Sequence, residues 1–306
     1  AARRLENLIG RNDELQLIEN IFRSLESPAV FYWEGPGGIG KTALLQAAKG
    51  RLAGQGHVVK ELIDLYHVEH QSRTGIIQSI VRNLGEQAFT GYQKTYEELQ
   101  KKGAGGVEIA DAEWQGVWEA FLTDLERLSE QQPVLIALDT AEVLGYEQDR
   151  FHRDMGRELP ELTVGKWLVD AIICRSHGRV LWLLSGRPAD RTLYNVLEDR
   201  APGTSPALTV YPKHVVQPLN AQESQEYFEA VIEFLLKSGF GSRQDRGLVP
   251  SMGEFLARCR KNHMKNAVTP QCQRAGCFLG RGVTADFSDL HGRVQREFAP
   301  LLQNKG

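Results

Sequence analysis

The 306-residue sequence contains no long apolar run, and it is poor in cysteine. A membrane-spanning helix needs about 18 or more consecutive apolar residues, and no stretch approaches that length. The N-terminal segment AARRLENLIG also lacks the apolar core of a signal peptide. Four cysteines in a chain of this length do not form a disulfide scaffold. These absences argue against a membrane protein and a small secreted domain, and they predict a cytoplasmic protein that makes no membrane contact.

The chain also shows no internal repeat of about 20 to 50 residues and no long low-complexity segment. Apolar residues make up 42% of it and charged residues 25%, which is typical of a globular protein. A length of 306 residues suits one large α/β domain or two smaller ones. Because the sequence does not begin with methionine, we expect it to be a fragment of a longer protein.

The net charge of −3 hides an uneven distribution of charge. Residues 237–306 hold 12 lysines and arginines against 5 acidic residues, a net charge of +7. Residues 1–236 then hold 24 against 34, a net charge of −10. A basic segment beside an acidic body is compatible with nucleic-acid or partner contact, although a solvated, loosely ordered tail is the plainer interpretation.

Apolar runs alternate with helical patterns along the first 236 residues. The runs that predict strands are AVFYW at 29–33, HVVKELIDLYHV at 57–68, VLIAL at 134–138 and VLWLL at 180–184. One polar helical stretch covers about residues 75–100 and is followed by a predicted loop at 101–111. Parallel strands need crossover connections, which helices supply. The pattern therefore predicts an α/β fold, a three-layer sandwich with a mainly parallel sheet, followed by a small, poorly defined C-terminal region.

The segment FYWEGPGGIGKTALL, residues 31–45, changes from a strand pattern into a glycine-rich loop and then into a helix. GPGGIGKT fits G-x-x-x-x-G-K-[ST], a P-loop in which backbone N–H groups and a helix start surround phosphate oxygens. Lys41 would reach the β- and γ-phosphates, and the Thr42 hydroxyl would bind Mg²⁺. A glycine turn without a ligand is the alternative. The predicted nucleotide-binding residues are Gly35, Pro36, Gly37, Gly38, Ile39, Gly40, Lys41, Thr42 and Ala43.

A P-loop needs a second acid at the end of a neighbouring strand, where it helps to hold magnesium. Asp139 ends the most apolar run of the chain and is the candidate. An ordinary strand-end aspartate that starts a turn is the alternative. Glu142 could polarise the attacking water as a general base, although a surface glutamate at a helix start is also common.

Several segments together resemble the nucleotide-binding core of the STAND class of P-loop ATPases, relatives of AAA+ proteins that include the NB-ARC and NACHT switches. The resemblance covers about residues 5–235 and rests on NLIGRNDELQLIENIF, the P-loop segment, PVLIALDTAEVL, VLWLLSGRP and HVVQPLNAQESQEYF. It implies a sensor role for Arg187, which would contact the γ-phosphate, and a contact of Pro218 with the base. It also implies an adenine-side segment formed by Leu8, Ile9, Gly10 and Arg11.

The chain departs from the family pattern at two places. Many members carry two adjacent acids where this sequence has Asp139-Thr140, so Glu142 is the nearest substitute. Beyond Leu236 the sequence shows no recognisable winged-helix lid and no sensor histidine. An Asn-Lys-x-Asp motif, the usual guanine-binding sequence, is also missing, and adenine is therefore favoured.

The resemblance implies ATP/ADP and Mg²⁺ as cofactors, slow hydrolysis, and a signalling or regulatory role. The nucleotide state would control self-association or an effector or sensor domain outside this chain. A DNA-associated AAA+ ATPase of the initiator or loader type, with the basic C-terminal region on phosphates, is the alternative, and a permanently bound, structural nucleotide is a third. We expect a P-loop ATPase core at 1–220, and a helical lid start with a basic region of unclear fold at 221–306.

Three further groups of residues carry weaker indications of a site. A zinc site is one hypothesis for the basic tail, although its spacing matches no standard finger and free thiols are the favoured interpretation; the residues are Cys259, His263, Cys272 and Cys277. The tryptophans could stack on bases, but their positions favour core packing. His67 and His70 follow a strand, which disfavours a shared metal.

Overall fold

The fold is built on short parallel strands that are covered by helices. The computed structural model describes residues 8–105, 110–144, 164–189, 192–203, 207–220, 222, 223 and 226. The helices of these residues are α1 (Asn12–Arg23), α2 (Lys41–Leu52), α3 (Arg73–Leu84), α4 (Thr90–Ala104), α5 (Asp111–Gln131), α6 (Val164–Trp167) and α7 (Leu193–Arg200). The strands are β1 (Ala29–Glu34), β2 (His57–Val58), β3 (Ile63–Asp64), β4 (Val134–Asp139), β5 (Val180–Gly186), β6 (Thr209–Val210) and β7 (His214–Val215).

The strands form one sheet in the order β2-β4-β5-β1-β6, in which β3 also pairs with β4 and β7 with β1. Every pairing between these strands is parallel. Each residue of β1, β4 and β5 is buried, as expected for central strands with near-continuous apolar sequence. The predicted α/β fold, with a mainly parallel sheet and flanking helices, is confirmed.

Aromatic side chains fill much of the core. Trp33 and Trp182 are fully buried, and Trp118 and Trp167 are 5% and 3% exposed. Burying a large apolar side chain contributes about 1.5–3 kcal/mol, so these residues stabilise the layers on both sides of the sheet. Core packing, the favoured interpretation of the tryptophans, agrees with the structure for these four, whereas Trp114 is half-buried.

Two of the expected elements differ in the structure. The run at 57–68 forms two short strands, because the amide of Glu61 donates to Asn83 Oδ1 (2.7 Å) instead of to a neighbouring strand. The helical stretch at 75–100 is divided at Gly85, whose φ of 108° ends α3. Its second part, α4, continues to Ala104 and so includes the start of the predicted loop.

The chain divides into two compact units. One unit comprises residues 1–36 and 41–217 and contains all the helices and strands named above. The other comprises residues 37–40 and 218–306. Within it, the amide of Asn220 donates to Glu223 Oε2 (2.7 Å) and the amide of Glu223 to Asn220 Oδ1 (2.9 Å), a reciprocal pair typical of a helix start. The expected domain boundary at residue 220 stays a prediction.

Candidate nucleotide-binding site

The residues that directly follow β1 and β4 lie beside the end of β5 at one edge of the sheet. Parallel strands place their carboxyl ends on the same side, and this order makes the three strands neighbours. The amide of Gly35 donates to the carbonyl of Gly186 (3.2 Å), and the amide of Ala141 to the carbonyl of Ser185 (2.8 Å). This edge is where open α/β sheets bind ligands.

The loop after β1 has the backbone that its glycines predict. Gly38 and Gly40 have φ angles of 85° and 101°, a region that side chains with a Cβ rarely adopt. The chain then enters the 12-residue helix α2 at Lys41. A glycine-rich loop that leads directly into a helix supplies N–H groups and the positive end of the helix dipole to an anion.

The ammonium group of Lys41 is buried against the start of this loop. Lys41 is 9% exposed, and its Nζ donates to the carbonyl oxygens of Gly35 (2.7 Å) and Pro36 (3.1 Å). These contacts hold a positive charge beside the loop that precedes α2. The expected contact of Lys41 with phosphate oxygens stays a prediction.

The two residues expected at magnesium are in direct contact. The Thr42 hydroxyl donates to Asp139 Oδ2 (2.6 Å), although 97 positions separate the two residues. The Ser185 hydroxyl and the amide of Thr140 (2.9 Å) donate to Asp139 Oδ1. A hydroxyl beside a carboxylate is a set of hard oxygen donors, the kind that Mg²⁺ prefers. The residues present therefore fit this ion.

Glu142 and Arg187 form an ion pair across the loops after β4 and β5. Arg187 Nε lies 3.3 Å from Glu142 Oε1. Glu142 is 4% exposed, so the alternative of a surface glutamate is wrong, and Arg187 is half exposed. Glu142 Oε2 is buried and accepts no hydrogen bond from the residues that the structure describes. An ordinary Cβ on Gly186 would lie 3.2 Å from that oxygen and would overlap with the Tyr32 hydroxyl, so glycine is required there.

The adenine-side segment begins with Leu8 and ends at Arg11, which is 5% exposed. Its guanidinium donates to the carbonyl of Gln217 (2.7 Å) and to Glu14 Oε1 (3.0 Å). Gln217 precedes Pro218 in the sequence. The contact joins this segment to the last residue of the same compact unit. The roles of Leu8, Ile9, Gly10, Arg11 and Pro218 stay predictions.

Residues 7–164 match the family model described as AAA ATPase domain. This match covers more than half of the chain. The chain belongs to the AAA ATPase domain family. No curated protein sequence matches the chain.

Solved structures with a similar fold include the Drosophila ORC bound to DNA, at 15% identity and a TM-score of 0.44 over 94% of this chain and 59% of that one. The Aeropyrum pernix ORC1 protein in complex with DNA matches at 18% identity and a TM-score of 0.42, over 88% and 65%. AMPPCP-bound DnaA from Aquifex aeolicus matches at 17% identity and a TM-score of 0.32, over 81% and 63%. This AAA ATPase domain therefore spans about half to two thirds of the length of the similar structures.

The structure adds residues to the site that the sequence interpretation missed. Ser185 contacts Asp139, and Asp64, the last residue of β3, accepts a hydrogen bond from the Thr140 hydroxyl (2.8 Å). Both follow the signal that identified Asp139, a polar residue where an apolar strand ends. Glu34, at the end of β1, is buried and pairs with Lys213 (2.9 Å).

Of the remaining candidates, the structure describes His67 and His70. His70 Nδ1 contacts the carbonyl of Asp64 (2.7 Å), and the ring of His67 packs edge-on against the ring of His70. Among the described residues, no three or more His, Cys, Asp or Glu side chains are grouped to hold a metal ion. Cys259, His263, Cys272 and Cys277 lie outside the described residues. Within the described ranges, no helix has both the length and the apolar character needed to cross a bilayer.

Proposed function

We propose that this AAA ATPase domain binds ATP with Mg²⁺ at Gly35–Thr42 and hydrolyses it slowly to ADP and phosphate. The observation that carries the proposal is the contact between Thr42 and Asp139, which joins the end of the P-loop to the acid at the end of β4. A glycine turn without a ligand does not need a buried lysine at its end or an acid facing its threonine. ATP and Mg²⁺ are the expected cofactors.

Each site residue has a role in this proposal. Lys41 would hold phosphate oxygens with its ammonium group, while Thr42 and Asp139 would hold Mg²⁺, whose charge would offset that of the phosphates. Glu142 would accept a proton from the attacking water, and Arg187, its ion-pair partner, would contact the γ-phosphate. The Arg187 side chain of this pair is half exposed, whereas Glu142 is buried.

Changing Glu142 to glutamine is expected to slow ATP turnover about 100-fold or more, because general base catalysis contributes about 10²–10⁴-fold. Nucleotide affinity is expected to stay within about 3-fold of wild type, since glutamine keeps the shape of the side chain and no phosphate contact is lost. Single-turnover hydrolysis and titration with a fluorescent ATP analogue measure the two quantities separately.

Glu69→Gln is the matched control, because its carboxylate is 76% exposed in the segment after β3. Its turnover should equal that of wild type. Normal hydrolysis by Glu142→Gln would show that the base is another group, while leaving the binding proposal intact.

A separate part of the proposal is the process that the bound nucleotide, ATP or ADP, controls. Assignment to the signalling STAND subtype, with control of assembly or of an effector, rests on the sequence resemblance alone. A DNA-associated ATPase is the second candidate, and the net charge of +7 in residues 237–306 favours it. Two of the similar structures named above are themselves bound to DNA. We therefore propose DNA contact by the basic region as the function to test first.

Binding to duplex DNA of random sequence is expected to be dominated by phosphate contacts. With three phosphates neutralised, a fourfold rise in salt should weaken binding about 40-fold, because the logarithmic slope is about −0.9 per phosphate. Fluorescence anisotropy at two salt concentrations, with ADP and with a non-hydrolysable ATP analogue, measures this dependence.

The deletion of residues 237–306 provides the comparison for the DNA experiment. Equal DNA binding by the full and the shortened chain would exclude the basic region as the contact.

Mass in solution, measured with the same two nucleotides and without DNA, tests the switch: a larger assembly with the ATP analogue alone would favour control of assembly. Bound ADP that does not exchange would favour a structural nucleotide.

A further inference from the structure

Thr140, the residue that follows Asp139, has a left-handed backbone. Its φ is 58°, and it is the one non-glycine residue with positive φ in the part of the chain that the structure describes. A β-branched residue rarely adopts this conformation, because its side chain then crowds the backbone. Such a conformation persists when surrounding contacts enforce it, and it is frequent at functional sites.

The conformation of Thr140 determines which groups face the carboxylate of Asp139. The amide of Thr140 donates to Asp139 Oδ1 (2.9 Å), which also accepts from the Ser185 hydroxyl. Asp139 Oδ2 is the oxygen that faces Thr42. The turn at Thr140 therefore helps to select the rotamer that presents Oδ2 toward the end of the P-loop.

Asp64 holds Thr140 from the neighbouring strand. The Thr140 hydroxyl donates to Asp64 Oδ1 (2.8 Å), which also accepts from the amide of Tyr66 (3.0 Å). Asp64 is paired with Asp139 in the register of β3 and β4, and the amide of Leu65 donates to the carbonyl of Asp139 (3.0 Å). The position of Asp64 is thus held by the amide of Tyr66 in the following loop and by the pairing of β3 with β4.

We propose that Asp64 is a positioning residue for Asp139 that acts through the hydroxyl of Thr140. The proposal rests on the proposed function, in which Asp139 helps to hold Mg²⁺. Many members of the class that this sequence resembles carry a second acid at the position of Thr140. In this chain the neighbouring strand supplies a carboxylate, that of Asp64, which contacts Asp139 through Thr140. Residues that orient a metal ligand typically change metal affinity about 10–100-fold when they are removed.

The first test compares Asp64→Ala with Asp64→Asn, using titration with a fluorescent ATP analogue in Mg²⁺ and in EDTA. Asp64→Ala removes the acceptor and should weaken binding in Mg²⁺ about 10-fold, with no change in EDTA. Asp64→Asn keeps an acceptor oxygen and should stay within about 3-fold of wild type. Glu69→Ala removes an exposed carboxylate from the same segment and should change neither affinity.

The second test replaces Thr140 with glycine, whose backbone needs no contact with Asp64 to keep a positive φ. Glycine adopts positive φ without strain, so in a Thr140→Gly background the further change Asp64→Ala should cost less than about 2-fold in Mg²⁺. An undiminished 10-fold loss in that background would show that Asp64 does not act through Thr140. If Asp64→Ala does not fold, as judged by thermal unfolding, Thr140→Val removes the same hydrogen bond from its donor side and should give the same 10-fold loss.

The outcomes separate this proposal from the one on which it rests. Wild-type protein that binds the analogue neither in Mg²⁺ nor in EDTA would refute the proposed function, and the role of Asp64 with it. Wild-type protein that binds it in Mg²⁺, together with an Asp64→Ala variant that binds it equally tightly, would refute the positioning role alone.

Discussion

Replacing Lys41 with alanine is expected to weaken ATP binding at least about 100-fold, or about 3 kcal/mol, and to remove detectable hydrolysis. The side chain is 9% exposed and its ammonium group already contacts the loop carbonyls of Gly35 and Pro36. Alanine deletes the positive charge that would face the β- and γ-phosphates, and the loop amides alone do not compensate for two phosphate charges. Isothermal titration with ATP and Mg²⁺ measures the loss directly.

Lys49→Ala is the matched control for this experiment. Lys49 lies on the same helix, two turns further on, and its ammonium group contacts the carbonyl of Lys60 away from the loop. The substitution removes the same charge and the same length of side chain, yet it should leave affinity within about 2-fold of wild type. If Lys41→Ala binds ATP as tightly as Lys49→Ala does, the P-loop assignment is wrong.

The geometry of the glycine-rich loop after β1 and the place of Asp139 at the end of a strand could be predicted, because both depend on local sequence. A strand, a glycine-rich loop and a helix follow one another at residues 29–52, and Asp139 ends an unbroken apolar run. Parallel strands bring their carboxyl ends together, so a polar residue at a strand end was expected near the loop. The contact between Thr42 and Asp139 agrees with that argument.

The contacts between the loops could not be predicted, because they depend on strand order. Nothing in the sequence states that β5 lies between β4 and β1, and this order is what brings Arg187 to Glu142 and Ser185 to Asp139. Asp64 was missed for another reason. The apolar pattern at residues 57–68 predicts one continuous strand, in which Asp64 would not be a terminal residue. In the structure the run is interrupted near Glu61, and the second strand ends at Asp64.

Changing Asp139 to asparagine is expected to weaken ATP binding about 100-fold in Mg²⁺ and to leave binding in EDTA within about 3-fold of wild type. Asparagine keeps the volume of the side chain but loses its charge and one of its two acceptor oxygens. Asp139 accepts from Thr42 through one oxygen and from Ser185 and Thr140 through the other. An amide nitrogen at either position would face a donor and would bring no charge to Mg²⁺.

The comparison between Mg²⁺ and EDTA separates a metal ligand from a structural residue. Loss of packing around the P-loop would weaken binding in both conditions, whereas loss of a metal ligand weakens it only when the metal is present. Asp170→Asn is the control, since its carboxylate pairs with Arg200 (3.2 Å) and its substitution should change neither affinity. An equal loss in Mg²⁺ and in EDTA for Asp139→Asn would show that Asp139 shapes the loop and does not hold the ion. In that case Thr42→Ala, which removes the other oxygen donor, should also lose affinity equally in both conditions.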